Sequence, residues 1–511
     1  MHSGSSRAWF TTPVSPGRAG ATAASDPAPA ADGISCEGHY RPGQAKGSRQ
    51  MQDFDMLVIG SGPGGQRAAI QAAKLGRRVA IIERQEILGG VTAHTGTIPS
   101  KTLRETVLYL CGWREKGFYG RSYRVKAEIT ADDLMQRLRS TIHQQIEIIR
   151  HQLTRNGVSV VTGAAAFVDP HTLRVVDQAG HEQLLRAGHL VIATGTVPHR
   201  PAEIPFDDVT IIDSDGILGI RAIPRTMTVI GAGVIGVEYA TIFSALDTRI
   251  TLIDNRNTIL DFVDGDIVDS FRHDLQDRGI ALRLGEEVAA VEKRADGRVV
   301  TRMKSGRHVV TDLVMVAAGR VGATAGLDLA RAGLVADARG RLTVDEHLRS
   351  TQPHIYAVGD VIGFPALAST SAEQGRKAAC HACGVEASGA AELFPFGIYA
   401  VPEISIVGRT ERELRDRGIA YETGVARFRE TARGQIQGGN EGLLKLIFGL
   451  EDHRLLGVHI VGEGATELIH IGQAVMAHSG GLDYFINSVF NYPTLAEAYK
   501  TAALDAWNRI G

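Results

Sequence analysis

The residues best placed for chemistry in this chain are glycines. Residues 54–83 read FDMLVIGSGPGGQRAAIQAAKLGRRVAIIE: an apolar run, then Gly60, Gly62 and Gly65, an Ala-rich helical stretch, and a second apolar run ending at Glu83. Glycines at this spacing permit a tight strand-to-helix turn, let the backbone approach a pyrophosphate, and allow a helix to lie close against a strand. N–H groups at the helix start would hold the phosphates. An acid about 20 residues further on is placed for the ribose hydroxyls. The pattern returns over residues 227–254, MTVIGAGVIGVEYATIFSALDTRITLID, with Gly231, Gly233, Gly236 and Asp254. One such motif alone is a weak signal. Two complete βαβ units suggest two dinucleotides with hydride passed between them. Asp254 would bond a ribose 2′-hydroxyl and repel a 2′-phosphate, which favours NAD over NADP. Arg256 could instead meet a 2′-phosphate or be a solvated loop arginine, so use of both nucleotides stays open.

The rest of the chain must position these turns. Its 511 residues suffice for roughly three domains. With 22% charged residues and a formal net charge of −2, neither nucleic acid nor an anionic membrane is expected as a partner. No apolar run reaches the ~20 residues of a membrane span. The cysteines are Cys36, Cys111, Cys380 and Cys383, too few for a secreted disulfide scaffold. Cys380 and Cys383 form a CxxC, but no second CxxC completes a zinc site, and they read as small residues on a packed helix. No metal site is expected. Residues 1–50, rich in Ala, Gly, Pro and Ser, read as a disordered leader.

The segment Gly89–Lys101, GGVTAHTGTIPSK, resembles the redox segment of the flavin disulfide reductases, with Thr92 and Thr97 where that family has its two redox cysteines. A threonine hydroxyl cannot become a thiolate or form a disulfide, so dithiol exchange is chemically closed. The resemblance runs from residue 53 onward and includes Ala193-Thr194-Gly195, Ala318-Gly319-Arg320 and Ile355-Tyr356-Ala357-Val358-Gly359-Asp360. It implies a non-covalent FAD, with Asp360 on the ribityl chain and Thr194, Gly195, Gly319, Arg320 and Gly359 among the cofactor-binding residues. It also implies an ion pair between Lys101 and Glu238 beside the flavin N5, helping to set the flavin potential; the bland alternative is that Glu238 is a helix-surface acid. Near the C-terminus, NYPTLAEAYK places Tyr492 where the family has an acid–base histidine, while Pro493, Thr494 and Glu497 remain. A phenol is a poor proton shuttle at neutral pH. Thiols and base are thus both missing. Within the family, TGTIPSKTLRE and NYPTLAEAYK most resemble the soluble pyridine nucleotide transhydrogenases, which commonly keep the first cysteine that Thr92 replaces.

The expected fold class is α/β: two Rossmann-like three-layer nucleotide-binding domains, for FAD and NAD(P), plus a C-terminal α+β dimerisation domain. The boundaries read as residues 51–198 and 313–395 for the FAD domain, 199–312 for the NAD(P) domain and 396–511 for the dimerisation domain. Both nucleotide domains read as strand–helix alternation. Leu134, Leu138, Ile142, Ile149 and Leu153 mark one face of a long helix. The resemblance implies a cytoplasmic homodimer that moves hydride between NADPH and NAD⁺. An NAD(P)H:acceptor reductase passing electrons to a quinone needs the same residues. A non-catalytic flavoprotein sensing nucleotide redox state is a third reading, against which both complete nucleotide motifs argue.

Overall fold

The computed structural model describes residues 51–120, 122–387, 393–438 and 442–510. The leader expected over residues 1–50, with Cys36, lies outside them. The first apolar run forms the strand Met51–Ile59. Leu57 and Ile59 enter one core while Met56 and Val58 enter another, as the two-residue repeat of a strand requires. A strand buried on both faces belongs inside a parallel sheet. It pairs in parallel with Val79–Glu83 on one side and Glu182–Ile192 on the other. Ser159–Thr162 adds beyond Val79–Glu83, and Ile355–Ala357 returns from far along the chain to pair with Glu182–Ile192.

On one face of this sheet the helices Pro63–Lys74 and Ala368–Ala382 touch so closely that a Cβ on Gly375 would lie 2.0 Å from the Gly64 carbonyl oxygen. On the other face the covering layer is made of strands, where strand–helix alternation had suggested helices. Ala164–Asp169 and Thr172–Val176 form an antiparallel meander with the start of Glu182–Ile192, and Phe167, Leu173 and Val175 pack into the core that holds Leu57.

The second glycine unit repeats the plan. Its parallel sheet runs Ala281–Leu284, Arg249–Asp254, Thr226–Ile230, Leu313–Val316, Ile211–Asp213. An antiparallel meander of Val288–Lys293, Val299–Met303 and His308–Thr311 accompanies it. Leu313–Val316 corrects one expected boundary. It was placed at the start of the second FAD segment, yet it pairs with Thr226–Ile230 and Ile211–Asp213. The reason is that an apolar strand carries no mark of which sheet it will join. The crossing between the two sheets is a short antiparallel ribbon, Thr196–Pro198 against Arg320–Gly322.

The long helix is Ala131–Arg155, closed at its start by a capping box between Thr130 and Asp133. It buries Leu134, Leu138, Ile149 and Leu153, and Ile142 is half-buried. Leu134 shares a core with Leu103 and Val107 of the helix Thr97–Leu110, and so supports the helix that carries Lys101. The C-terminal part is an antiparallel sheet in the order Phe396–Ile398, Ile404–Gly408, Leu455–Gly462, Gly442–Gly449, Tyr421–Arg427. The helices Ala465–Ala477, Leu482–Asn487 and Glu497–Ile510 follow. Among the described residues no helix is long and apolar enough to cross a membrane.

Candidate functional site

The first glycine turn is built by steric necessity. Gly60 has φ +104°, and a Cβ there would lie 2.4 Å from the Ala193 carbonyl oxygen. A Cβ on Gly65 would lie 1.9 Å from the Gly60 carbonyl oxygen, so the helix could not approach the strand. Gly62 differs: a Cβ there would meet nothing within 4 Å. The open space lies at the start of Pro63–Lys74, a helix with no side-chain cap and no acid in its first turn. Its N–H groups and positive dipole end are therefore available to an anion. Nearby, the buried Thr194 hydroxyl has no hydrogen-bond partner among the described residues, and Gly195 (φ +67°) also faces open space. Uncapped helix, unpaired hydroxyl and bare glycines together fit a dinucleotide such as FAD.

Glu83 ends the second strand and faces this turn. It accepts from the Ser61 N–H at 3.0 Å, the Ser61 hydroxyl at 2.6 Å and the Gln85 N–H at 3.2 Å. Ser61 in turn accepts from the Gly89 N–H at 2.8 Å, which ties the turn to the threonine-bearing segment. Gly359 (φ +79°) donates its N–H to Gln374 at 2.8 Å and presents Asp360 beside it. Burial pushes the Asp360 carboxyl above the ordinary carboxylate range, although Arg320 opposes the shift. The Thr196 hydroxyl lies 3.4 Å from that carboxylate.

The second turn matches the first. Gly231 has φ +108° with the Ala317 carbonyl oxygen 2.4 Å from a Cβ placed there, and Gly236 would clash with the Gly231 carbonyl oxygen at 1.8 Å. The helix Val234–Ala245 again lacks a side-chain cap and a first-turn acid. Asp254 accepts from the Ala232 N–H at 2.6 Å and the Arg256 N–H at 2.8 Å. Arg256 then grips it with Nε on Oδ1 at 3.0 Å and Nη2 on Oδ2 at 2.9 Å. Burial opposes ionisation of Asp254, but the hydrogen bonds from Arg256 outweigh it and hold the carboxyl below its ordinary range. Arg256 lies in the loop after the strand with its side chain 39% exposed, held against Asp254 by this contact.

Lys101, on the helix Thr97–Leu110, meets Glu238, on the helix Val234–Ala245 that follows the second turn. Lys101 Nζ lies 3.0 Å from Glu238 Oε1 and 2.9 Å from Oε2. The Glu238 side chain is only 5% exposed, which excludes a helix-surface acid. The Tyr399 N–H donates to Glu238 Oε1 at 2.8 Å, and the Lys101 ammonium stands 4.8 Å from the Tyr399 ring centroid. Each of these residues comes from a different part of the chain. Thr97 opens the helix that holds Lys101, and Thr92 sits in the short helix Gly90–His94 before it. Arg320, next to Gly319 (φ +94°), bonds the Thr196 hydroxyl at 2.9 Å and carbonyl at 3.0 Å, and Asp215 at 3.1 Å. Asp215 also accepts from the Thr95 hydroxyl at 3.1 Å.

Sequence reasoning missed Asp215 and Tyr399. For Asp215, the acid-rich stretch IIDSDG after a strand was an available signal; the backbone contact of Tyr399 leaves none. It also missed Lys445, which is fully buried and bonded to Asp264 at 2.8 Å, Asp266 at 2.6 Å and Glu411. Burial opposes its charge, but those carboxylates hold it protonated, above lysine's ordinary range. Cys380 is buried on the helix Ala368–Ala382 and Cys383 is half-buried at its end, neither in a disulfide. Tyr492 is 76% exposed.

The model of the pyridine nucleotide-disulphide oxidoreductases matches residues 54–375, and that of their dimerisation domain matches residues 394–503. The chain belongs to the pyridine nucleotide-disulphide oxidoreductase family. Within that family it is similar to the soluble pyridine nucleotide transhydrogenase of Mycobacterium bovis (strain BCG / Pasteur 1173P2), 52% identical over 90% of this chain and 98% of the relative. The soluble pyridine nucleotide transhydrogenase of Colwellia psychrerythraea is 42% identical over 90% of this chain and 99% of its own length. Among solved structures, LpdA from Mycobacterium tuberculosis superposes with a TM-score of 0.81 at 25% identity, covering 88% of this chain and 99% of that one. The HOCl-induced flavoprotein disulfide reductase RclA from Escherichia coli, as its Cu(II) complex, gives 0.80 at 25% identity, covering 89% and 99%. The flavin family expected from Gly89–Lys101 is therefore the family found, although both of its redox cysteines are replaced here.

Proposed function

We propose that this chain transfers hydride from NADPH to NAD⁺ through a non-covalently held FAD, in ping-pong fashion. The observation that carries the reading is the contact of Lys101 with Glu238: it joins the helix that follows the second dinucleotide turn to the helix opened by Thr97, in the segment where Thr92 and Thr97 stand in place of the thiols that disulfide chemistry needs. Relatives at 42% and 52% identity that carry the transhydrogenase name support it.

Bound FAD supplies the two-electron chemistry. The residues around Gly62, Thr194, Gly195 and Asp360 would hold it, and those around Gly233 and Asp254 would hold a nicotinamide nucleotide. Lys101 would offer its positive charge to the reduced cofactor, and Glu238, fixed by the Tyr399 N–H, holds that charge in position. The two threonines cannot relay electrons to sulfur. Bound FAD would exchange hydride with a nicotinamide without a thiol relay, so this chain would need no acid–base residue for the transfer and Tyr492 need not replace the missing histidine.

The dimerisation domain supports a homodimer. The reading places the protein in the cytoplasm; among the described residues no helix is long and apolar enough to cross a membrane.

The test is anaerobic. The yellow protein is reduced with NADPH, NAD⁺ is added, and flavin absorbance and NADH are followed together. Stoichiometric NADH with flavin reoxidation at the turnover rate is expected. Flavin that reduces but reoxidises only with a quinone would make the protein an acceptor reductase instead.

A further inference from the structure

A ping-pong transhydrogenase with one nicotinamide site must accept, at the same position, two nucleotides that differ by a 2′-phosphate. The usual solutions exclude each other: an acid takes the 2′-hydroxyl and repels the phosphate, whereas arginine attracts the phosphate. Here both residues sit at the end of one strand and bind each other.

The details of that contact decide what can move. A carboxylate offers about four acceptor sites, and Asp254 already receives the Ala232 N–H, the Arg256 N–H, and Arg256 Nε and Nη2. A ribose hydroxyl can bond Asp254 only by displacing one of them. The two backbone donors belong to the turn itself and fix the carboxylate. The guanidinium is the movable pair. Its side chain is 39% exposed, its Nη1 rests on the half-exposed Asp261 at 3.1 Å, and its Nη2 lies 4.0 Å from the Cβ position of Gly233, at the mouth of the phosphate turn. The FAD-side acid has no such partner: among the described residues the Glu83 carboxylate accepts only from Ser61 and Gln85.

We propose that Arg256 is an exchangeable counter-ion that sets nucleotide specificity. With NAD(H) it yields one contact on Asp254 to the 2′-hydroxyl and stays against Asp254 and Asp261. With NADP(H) the guanidinium fork turns from Asp254 onto the 2′-phosphate, and the two backbone N–H groups keep the Asp254 charge compensated. The inference rests on the transhydrogenase reading, because it explains how one site serves both substrates.

The test uses the flavin-loaded protein and two ligands that carry no nicotinamide, ADP-ribose and 2′-phospho-ADP-ribose, with binding measured by calorimetry. The unaltered protein should bind both. Arg256→Ala should weaken 2′-phospho-ADP-ribose by roughly tenfold to hundredfold, the span of one charged hydrogen-bonding pair, and leave ADP-ribose unchanged or tighter. Asp254→Asn should do the reverse, tightening the phosphorylated ligand and weakening ADP-ribose. Arg256→Lys, which keeps the charge without the fork, should fall between. Equal weakening of both ligands by Arg256→Ala, or no effect on either, would overturn the proposal. If the predicted pattern appears in a protein that passes no hydride from NADPH to NAD⁺, the exchange stands and the transhydrogenase reading fails. If hydride passes but Arg256→Ala spares the phosphorylated ligand, only the exchange fails.

Discussion

The turn that starts at Gly60 and the turn that starts at Gly231 are nearly superimposable in their constraints. Their first glycines have φ +104° and +108°, each with a carbonyl oxygen 2.4 Å from where a Cβ would be. Their third glycines would clash at 1.9 and 1.8 Å. They part at the acid that closes each unit. Glu83 is knitted into the protein by Ser61 and Gln85, whereas Asp254 is shared with a half-exposed arginine. The surroundings differ in the same sense. The first unit's helix is clamped by Ala368–Ala382, and the carboxyl beside its cofactor space, Asp360, is driven up by burial. The second unit's acid is driven down by hydrogen bonds from a side chain that can leave. One scaffold thus yields a turn whose acid is locked into the protein and a turn whose acid is paired with a half-exposed side chain.

The comparison breaks most sharply at the third glycines. Gly65→Ala should give a colourless protein, because the helix must move away from the space where the flavin belongs. Gly236→Ala should stay yellow yet no longer be reduced by NADPH. The visible spectrum and anaerobic NADPH titration of both variants check this; the reverse pattern would mean the two sites are assigned the wrong way round. A smaller effect is expected where the sites meet. Glu238→Gln leaves Lys101 without its charge partner and should slow flavin reduction roughly tenfold to hundredfold, as for loss of a well-placed charged contact. Stopped-flow absorbance gives that rate, and unchanged binding of ADP-ribose would show that the fault lies in the transfer.

The smallest effect concerns pH and has opposite signs at the two sites. The folded pKa of Asp360 is raised by burial, so its ionisation costs stability as pH rises through that value. In flavin-free protein, Asp360→Asn should therefore raise the melting temperature at neutral pH, with the gain vanishing in acid. The folded pKa of Asp254 is depressed, so its contribution is present above the unfolded pKa and lost as pH falls through the folded one. Arg256→Ala should lower the melting temperature slightly at neutral pH, with the gap closing in acid. Melting curves from pH 3 to pH 8 separate the two; matching signs would dissolve the contrast.

Much of the site was legible because it rests on backbone requirements that only particular residues meet. Positive φ and a carbonyl within 2.4 Å leave glycine little competition at Gly60 and Gly231, so the spacing alone exposes the turns. The Lys101–Glu238 contact was reached through resemblance; nothing local links residues 137 positions apart. Tyr399 and Lys445 stayed hidden for the same reason, since their partners come from distant segments. The misplaced boundary at residue 312 and the strand layer over the first sheet are errors of one kind: apolar runs announce strands without saying where they pair.

By itself, then, the sequence determined that the chain makes two dinucleotide turns and that Thr92 and Thr97 cannot do thiol chemistry. Those are facts of covalent structure and backbone sterics, fixed residue by residue. The tertiary structure alone decided that Arg320 joins Asp215 to Thr196. It also decided that a buried glutamate from one domain and a backbone N–H from another position Lys101. Such contacts depend on which surfaces the packed layers bring within about 3 Å, the reach of a hydrogen bond, and no local pattern encodes that distance.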